Sequence, residues 1–237
     1  MYLRTIVGRN QVGCSVARNA LVAAARGEYI HFLDADDIIN IRFYDALYAA
    51  IQRTKADVAV ASYYNEHWPK DSVVFAHDMV LAVPQDKLDA THVDIHGYSW
   101  RYLIRRKFWN AHNLQFPTNL RYIEDLLVMT RMVYLSRRIV CVPDAMYIYK
   151  NRGGSILNDE TIAAQRTVDH KYARQTTDEF VAAQGMHPTI IQHIYMKYVR
   201  LFGILPLIIF RRKNNRATAY LFGFIPIIKV VCKIKQQ

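Results

Sequence analysis

Glu28-Tyr29-Ile30-His31-Phe32-Leu33-Asp34-Ala35-Asp36-Asp37 is the stretch whose reading decides the fold. Large, β-favouring side chains run without a break into three carboxylates, the pattern of a buried strand that ends at an acidic edge. In open α/β sheets, ligands sit outside the carboxyl ends of the strands, where pairing stops and side chains converge. Three carboxylates crowded at such a tip repel one another unless a cation joins them. A hard divalent ion, Mg²⁺ or Mn²⁺, is the simplest cation for an all-oxygen site. The other reading is a solvated turn, since Asp is a common turn residue.

Upstream, residues 2–7 predict a strand, and residues 16–26 an Ala-rich helix opened by Ser15 and closed by Gly27. Downstream, Ile41, Tyr44, Leu47, Tyr48 and Ile51 recur at helical spacing and predict an amphipathic helix ending near Lys55. Residues 58–62 follow as a short buried strand. This alternation argues for an α/β fold with a largely parallel sheet flanked by helices. Residues 65–97 are less regular, with one strand expected at 73–76. Beyond them the pattern predicts a strand at 100–104, a basic helix to His112, and a helix with Leu126, Met129 and Val133 on one face. Two short strands, 139–142 and 147–149, are separated by Pro143-Asp144, and residues 151–155 form a Gly-rich loop. No internal repeat is expected. The domain reading is a body over 1–157 and a helical, basic, apolar region over 158–237.

The 237 residues are 52% hydrophobic, enough for a buried core, and carry a formal charge of +11. The excess lies in the tail: no Asp or Glu follows Glu179, whereas Lys197, Arg200, Arg211, Arg212, Lys213, Arg216, Lys229, Lys233 and Lys235 do. Residues 201–210 and 220–231 are strongly apolar, each broken by a proline, and too short to span a bilayer. They read as amphipathic helices lying on an anionic membrane surface, or else as core helices, with lipid favoured over nucleic acid by their aliphatic content. Cys14, Cys141 and Cys232 are odd in number and far apart, so neither a disulfide framework nor a zinc motif is expected. No secretory signal is visible either, and the expected location is cytoplasmic, peripheral on the inner face of the cell membrane.

A divalent ion held by Asp34 and Asp36 has a diphosphate as its natural ligand, because it neutralises charge on a departing group. The second acidic pair, Glu124-Asp125, opens a helix, where carboxylates are favoured by the macrodipole. Its chemical role would be that of a general base taking the proton of an attacking hydroxyl. Trp100, Arg101 and Tyr102 suit an acceptor pocket or plain core packing. Arg18 is placed to reach a phosphate, and Arg152 to close over one from its loop. His92-Val93-Asp94-Ile95-His96 has metal-like spacing but reads as a solvated stretch.

These residues carry a resemblance. Gly13-Cys14-Ser15-Val16-Ala17-Arg18-Asn19, Ala25-Arg26-Gly27-Glu28-Tyr29-Ile30 and Phe32-Leu33-Asp34-Ala35-Asp36-Asp37 resemble the middle of family 2 glycosyltransferases of the GT-A fold. Phe116-Pro117, Glu124-Asp125-Leu126, Tyr147-Ile148-Tyr149 and Ser155-Ile156 resemble the acceptor half of the same family in order and spacing. The resemblance implies an inverting, metal-dependent enzyme that moves a sugar from a nucleotide-diphosphosugar, a UDP-sugar by expectation, to a saccharide or lipid-linked hydroxyl acceptor. It implies that Asp34 and Asp36 form an Asp-x-Asp motif, with Asp36 on the metal and Asp34 nearer the nucleotide. Asp125 is then the base, with Glu124 beside it. Tyr220-Leu221-Phe222-Gly223-Phe224-Ile225-Pro226 resembles the tails of bacterial members that build cell-surface polysaccharides. Two departures are a Gln11 where the family places Asn, and the lack of the family's first strand and glycine-rich turn, which reads as a shortened chain. The competing readings are a catalytically inert, membrane-associated binding protein of the same fold, and a haloacid-dehalogenase-type phosphotransferase. The latter predicts Thr or Val where Ile38 stands.

Overall fold

The computed structural model describes residues 13–150 and 163–189 in full, and the tail as the backbone of four strands between 197 and 231. The predicted strand at 2–7 and the loop carrying Arg152 and Ser155-Ile156 lie outside the described residues. Two compact units are present, Met1–Thr189 and Ile190–Gln237. In chain order the first contains α1 (Cys14–Ala24), β1 (Tyr29–Ile30), β2 (Ile38–Ile39), α2 (Phe43–Thr54), β3 (Val58–Asn65), β4 (Met79–Leu81) and α3 (Pro84–Thr91). It continues with β5 (Tyr102–Arg105), α4 (Arg106–Ala111), α5 (Asp125–Leu135), β6 (Ile139–Tyr149) and α6 (Ala163–Ala183).

The sheet is centred on β3, whose residues from Val58 to Tyr63 are fully buried. A strand covered on both faces carries a near-continuous apolar run, and Val-Ala-Val-Ala-Ser-Tyr is one. The path of the sheet is β1-β5-β3-β6-β2, with β4 also on β6. The acidic stretch is therefore not the inner strand its composition suggests: β1 spans two residues and ends the path. Ile30 and Phe32 are nevertheless buried, alternating with the half-buried His31 as one core-facing edge requires.

The expectation of a largely parallel sheet is corrected: among the described residues only β3 and β6 pair in parallel, and the other pairings are antiparallel. The chain between β3 and β6 holds three helices, the kind of crossover a parallel pair needs. β4 and β5, which arise within that crossover, fold back in the opposite sense. The outcome is a mixed sheet flanked by helices. β6 joins the two predicted short strands into one of eleven residues, because Pro143-Asp144-Ala145 bulges out between Val142 and Met146. Asn40 seals that bulge, donating from Nδ2 to the Asp144 carbonyl (2.8 Å) and accepting from the Met146 N–H (3.1 Å). Val73 makes only an isolated bridge to Tyr63, so the strand expected at 73–76 is absent and β4 stands later.

Helix α2 presents a different face from the one its spacing suggests. Phe43, Leu47, Ala50 and Ile51 are buried, whereas Ile41 is 98% exposed and Tyr44 and Tyr48 lie half open. Both stripes have helical spacing, but the buried one meets the sheet, while the tyrosine rings lean on β1 and its neighbour, Tyr48 on Tyr29 and Tyr44 on His31. Cys14 and Cys141 are free thiols, the first exposed and the second buried.

In the second unit the predicted helices are replaced by an antiparallel meander of β7 (Lys197–Leu201), β8 (Leu205–Lys213), β9 (Arg216–Leu221) and β10 (Ile225–Val231). Pro206 and Pro226 explain the difference, since each is the second residue of its strand, a place where the missing N–H is tolerated. An internal repeat also emerges. Leu201-Phe202-Gly203 with Pro206 recurs as Leu221-Phe222-Gly223 with Pro226, and each copy joins two strands in the same register, Leu201 to Leu205 and Leu221 to Ile225. Register places Arg211, Lys213, Arg216 and Lys229 on one face together with Ile209, Tyr220 and Val231, and Ile208, Phe210, Ala217, Ala219, Ile228 and Val230 on the other together with Lys197 and Arg212. No helix among the described residues is long and apolar enough to cross a membrane.

Leu47→Ala in α2 is expected to cost about 3 kcal/mol, because a fully buried leucine in a packed layer leaves a cavity. Urea unfolding should show a lower midpoint at unchanged slope. A shift under about 0.5 kcal/mol, the size of a surface substitution, would show that this helix face is not packed as described.

Candidate functional site

A cavity of about 770 Å³ opens in the first unit, large enough for a nucleotide or a short saccharide. Its lining includes Arg18, Asp34, Trp100, Glu124 and Asp125, five residues singled out from the sequence. They come from four places: α1, the tip beyond β1, the short turn before β5, and the start of α5. Arg18 joins the two acidic groups. Its Nη1 pairs with Glu124 Oε1 and its Nη2 lies 3.9 Å from Asp34 Oδ1. Burial opposes the Arg18 charge, but Asp125, Glu124 and Asp34 outweigh it and hold the guanidinium above its ordinary value. The next residue keeps α1 in place: Asn19 donates to the Phe116 carbonyl and accepts from the Phe116 N–H, both at 2.9 Å.

Three backbone features set Asp125 at the wall of the cavity. Gly97 is pressed so closely on α5 that a Cβ there would fall 2.3 Å from the Leu126 Cα. Ile123 adopts φ 57°, a left-handed conformation that a β-branched residue resists. Strain of this kind persists only where the surroundings impose it. Asp169 of α6, 3% exposed, does so by accepting the N–H groups of Arg121 (2.9 Å) and Tyr122 (3.1 Å). Asp125 itself is pushed up to about 7, first by burial and then by Glu124, with Arg18 and a backbone hydrogen bond from Ser99 acting the other way. A carboxyl that titrates near neutrality suits a general base.

The acidic tip is both a turn and a cluster. The Asp37 N–H donates to the Asp34 carbonyl (3.2 Å), closing the turn. Asp37 is committed to the framework, accepting from the Tyr147 hydroxyl (2.7 Å) and the Lys150 N–H (2.9 Å). Asp34 is raised above the ordinary carboxylate range by burial, with Arg18 opposing and Asp37, Asp36 and Glu124 adding to the rise. Asp36, two residues on and exposed, is not among the lining residues. No group of three or more His, Cys, Asp or Glu side chains able to hold a metal occurs among the described residues. Mg²⁺ and Mn²⁺ are commonly held by one or two carboxylates with substrate phosphates completing the shell, and Asp34 with Asp36 fits that lesser demand.

Behind the tip runs a ladder of near-parallel rings: His96 on Tyr98 (5.5 Å), Tyr98 on Trp100 (4.8 Å) and Trp100 on Tyr147 (4.1 Å). Trp100 and Tyr98 edge the cavity, so aromatic packing and pocket lining are the same residues here. His31 supports the ladder from below. The Trp100 carbonyl only accepts, so His31 Nε2 donates to it (2.9 Å) and Nδ1 takes the Tyr44 hydroxyl (3.2 Å). Burial lowers His31 to about 4 and keeps it neutral in this role.

Two sequence expectations are corrected. Arg101 is fully buried and lies outside the cavity lining, its guanidinium donating to the Ala61 and Thr91 carbonyls and stacking on Tyr63. It is a framework residue, because a cation reaches such depth only where fixed acceptors meet it. The stretch 92–96 is not solvated: Val93 and Asp94 are fully buried, His92 caps α3, and His96 lines the cavity, lowered to about 4 by burial. Tyr149, quoted from the sequence only within the run Tyr147-Ile148-Tyr149, lines the cavity too, and sequence reading missed Tyr98 and the face of α6 with Arg166, His170 and Arg174, which reach it from distant parts of the chain. Only Gly97, isolated beside the acidic helix, carried a local signal.

Asp125→Asn tests the burial of this carboxyl. A carboxyl raised from 3.8 to about 7 in the fold stabilises the protein fully below about pH 4, and that contribution is lost as pH rises toward 7. The thermal midpoint of Asp125→Asn relative to the parent should therefore be more favourable at pH 8 than at pH 4.5. An equal difference at both values would place the carboxyl in water.

Residues 3–123 match the profile of Glycosyl transferase family 2. The chain is 24% identical over 188 residues to the glycosyltransferase GlyG of Streptococcus pneumoniae, covering 74% of this chain and 62% of that one. It is 29% identical over 187 residues to the succinoglycan biosynthesis protein ExoO of Rhizobium meliloti, covering 72% and 52%. The chain thus spans roughly half to two thirds of the length of these relatives. Among solved structures, S. aureus TarS 1-349 in complex with UDP-GlcNAc superposes with a TM-score of 0.56 at 20% identity, over 73% of this chain and 52% of that one. The shared architecture is the GT-A fold. With more than half of its length under the family profile, the chain belongs to glycosyl transferase family 2.

Proposed function

We propose that the protein transfers a sugar from a nucleotide-diphosphosugar to a hydroxyl acceptor in polysaccharide synthesis, with inversion at the transferred carbon. The observation that carries this reading is the shared hollow: Asp34 and Asp125 line one cavity, with Arg18 between them. A single displacement needs a group that draws off the leaving diphosphate on one side and a base for the acceptor hydroxyl on the other. A divalent ion at Asp34 and Asp36 would neutralise charge on the departing diphosphate. Asp125 takes the hydroxyl proton, and Glu124 beside it is paired with Arg18. The naming of UDP-GlcNAc with TarS supports a UDP-sugar as the donor class. Trp100 contributes to the substrate wall, and Arg152 is proposed to close over the diphosphate.

Calorimetry of the 237-residue chain with UDP and Mn²⁺ tests the donor site. Heat is expected that needs both components and falls at least about tenfold in affinity in Asp34→Asn, the equivalent of 1.4 kcal/mol. UDP binding that ignores both Mn²⁺ and Asp34 would sink the metal-assisted reading. No heat in any combination would favour the inert binding protein of the same fold.

The face of the tail meander that carries Arg211, Lys213, Arg216 and Lys229 is proposed to rest on anionic headgroups at the inner face of the cell membrane. Removal of residues 197–237 should release the protein from phosphatidylglycerol vesicles at 0.1 M salt and leave its weaker association with neutral vesicles unchanged. Unaltered sedimentation would end this part of the proposal.

A further inference from the structure

One wall of the cavity is unlike the rest. Helix α6 places Arg166, His170 and Arg174 at intervals of four, and all three line the cavity. At 1.5 Å per residue the stripe is about 12 Å long. The helix is anchored on the side of the hollow that holds the base: Asp169 binds the backbone leading to Glu124-Asp125, and Tyr134 of α5 packs edge-on against Phe180. Arg174 is itself oriented, donating from Nη1 to the Asp94 carbonyl at 2.7 Å, with Asp178 3.9 Å from its Nη2.

Trp68 also lines the cavity. Its position is set by the buried Asn65 at the end of β3, whose Oδ1 accepts the N–H groups of His67 (2.9 Å) and Trp68 (3.0 Å). The indole is 43% exposed, whereas Trp100 and Trp109 are buried. An open aromatic face held by the backbone is a platform for the apolar face of a sugar ring.

The inference rests on the transferase reading and extends it to the acceptor. We propose that the acceptor is an anionic saccharide, its ring against Trp68 and its carboxylate or phosphate group against the α6 stripe of Arg166, His170 and Arg174. Neutral sugar hydroxyls call for acceptors as well as donors, and two guanidinium groups supply donors alone. Planar N–H forks match oxyanions, which is the chemistry such a wall recognises best. The acids that line the cavity are Asp34 and Glu124, which face Arg18, and Asp71 and Asp125, while Asp178 lies beside Arg174. Asp125 is reserved for the attacking hydroxyl, and Asp71 stands one short helical turn from Trp68, where it can accept from a ring hydroxyl.

The test uses the 237-residue chain and three soluble probes alike in sugar: a glucose disaccharide, its uronic acid form and its 6-phosphate. Binding is read from the exposed Trp68 indole and confirmed by calorimetry at low salt. At least one charged probe should bind about tenfold more tightly than the neutral one, and which of the two it is tells carboxylate from phosphate. Arg166→Gln combined with His170→Gln, at unchanged thermal midpoint, should remove that preference while leaving the neutral probe unaffected. Trp68→Phe should weaken all the probes that bind. Equal affinity for neutral and charged probes, no binding of either charged probe, or a preference that survives the double variant would overturn the proposal. So would a double variant that loses UDP instead, since the cations would then serve the donor. UDP with Mn²⁺ is titrated alongside: intact UDP binding without charge preference defeats this inference alone, whereas charge preference without UDP binding defeats the transferase reading.

Discussion

The arrangement at the cavity depends on one guanidinium. Arg18 stands between Asp34 on the acidic turn and Glu124 on the approach to α5, and feels Asp125 as well. Carboxylates drawn together in a partly buried space repel, and their charged forms lose solvation at the same time. A fixed cation relieves both costs: Glu124 holds it as a direct ion-pair partner, whereas Asp125 is raised by burial. The same cation explains why α1 must lie where it does, with Asn19 fastened to Phe116 one residue further along.

Around this centre the fold spends conformational strain and close contact on the placement of one side chain. Gly97 admits the backbone of α5, Ile123 accepts a left-handed turn, and Asp169 reaches across from α6 to hold the two residues before it. Each device acts on the backbone within a few residues of Asp125. By contrast the acidic turn is supported through a side chain, with Asp37 taken up by Tyr147 and Lys150 while Asp34 lines the hollow and Asp36 stays exposed. The aromatic ladder from His96 to Tyr147 connects the two halves and gives the cavity a stiff floor.

The tail shows how charge and hydropathy can be read correctly and their geometry wrongly. Short apolar runs followed by Lys and Arg suggest amphipathic helices, yet the same residues form a meander whose one face carries Arg211, Lys213, Arg216 and Lys229 and whose other face is mostly apolar. Proline decides between the two. Near the start of a strand it removes a hydrogen bond that is not needed, whereas within a helix it would break the ladder.

The amino-acid sequence by itself determined the elements with strong local signals: the Ala-rich α1, the buried run of β3, the acidic turn after Phe32, the acidic start of α5, and through their order the family. It determined as well that Arg18, Asp34, Glu124 and Asp125 were residues to watch, since charges beside apolar runs are costly without a purpose. Tertiary structure alone decided which strand is central, which stripe of α2 is buried, that Arg101 braces the framework, and that α6 supplies a wall of the cavity. Those outcomes rest on contacts between residues 40 to 110 positions apart, such as Arg18 with Glu124 and Asp169 with Arg121. Periodicity reports the neighbours of a residue along its own element, and it is silent on what the chain later brings against it.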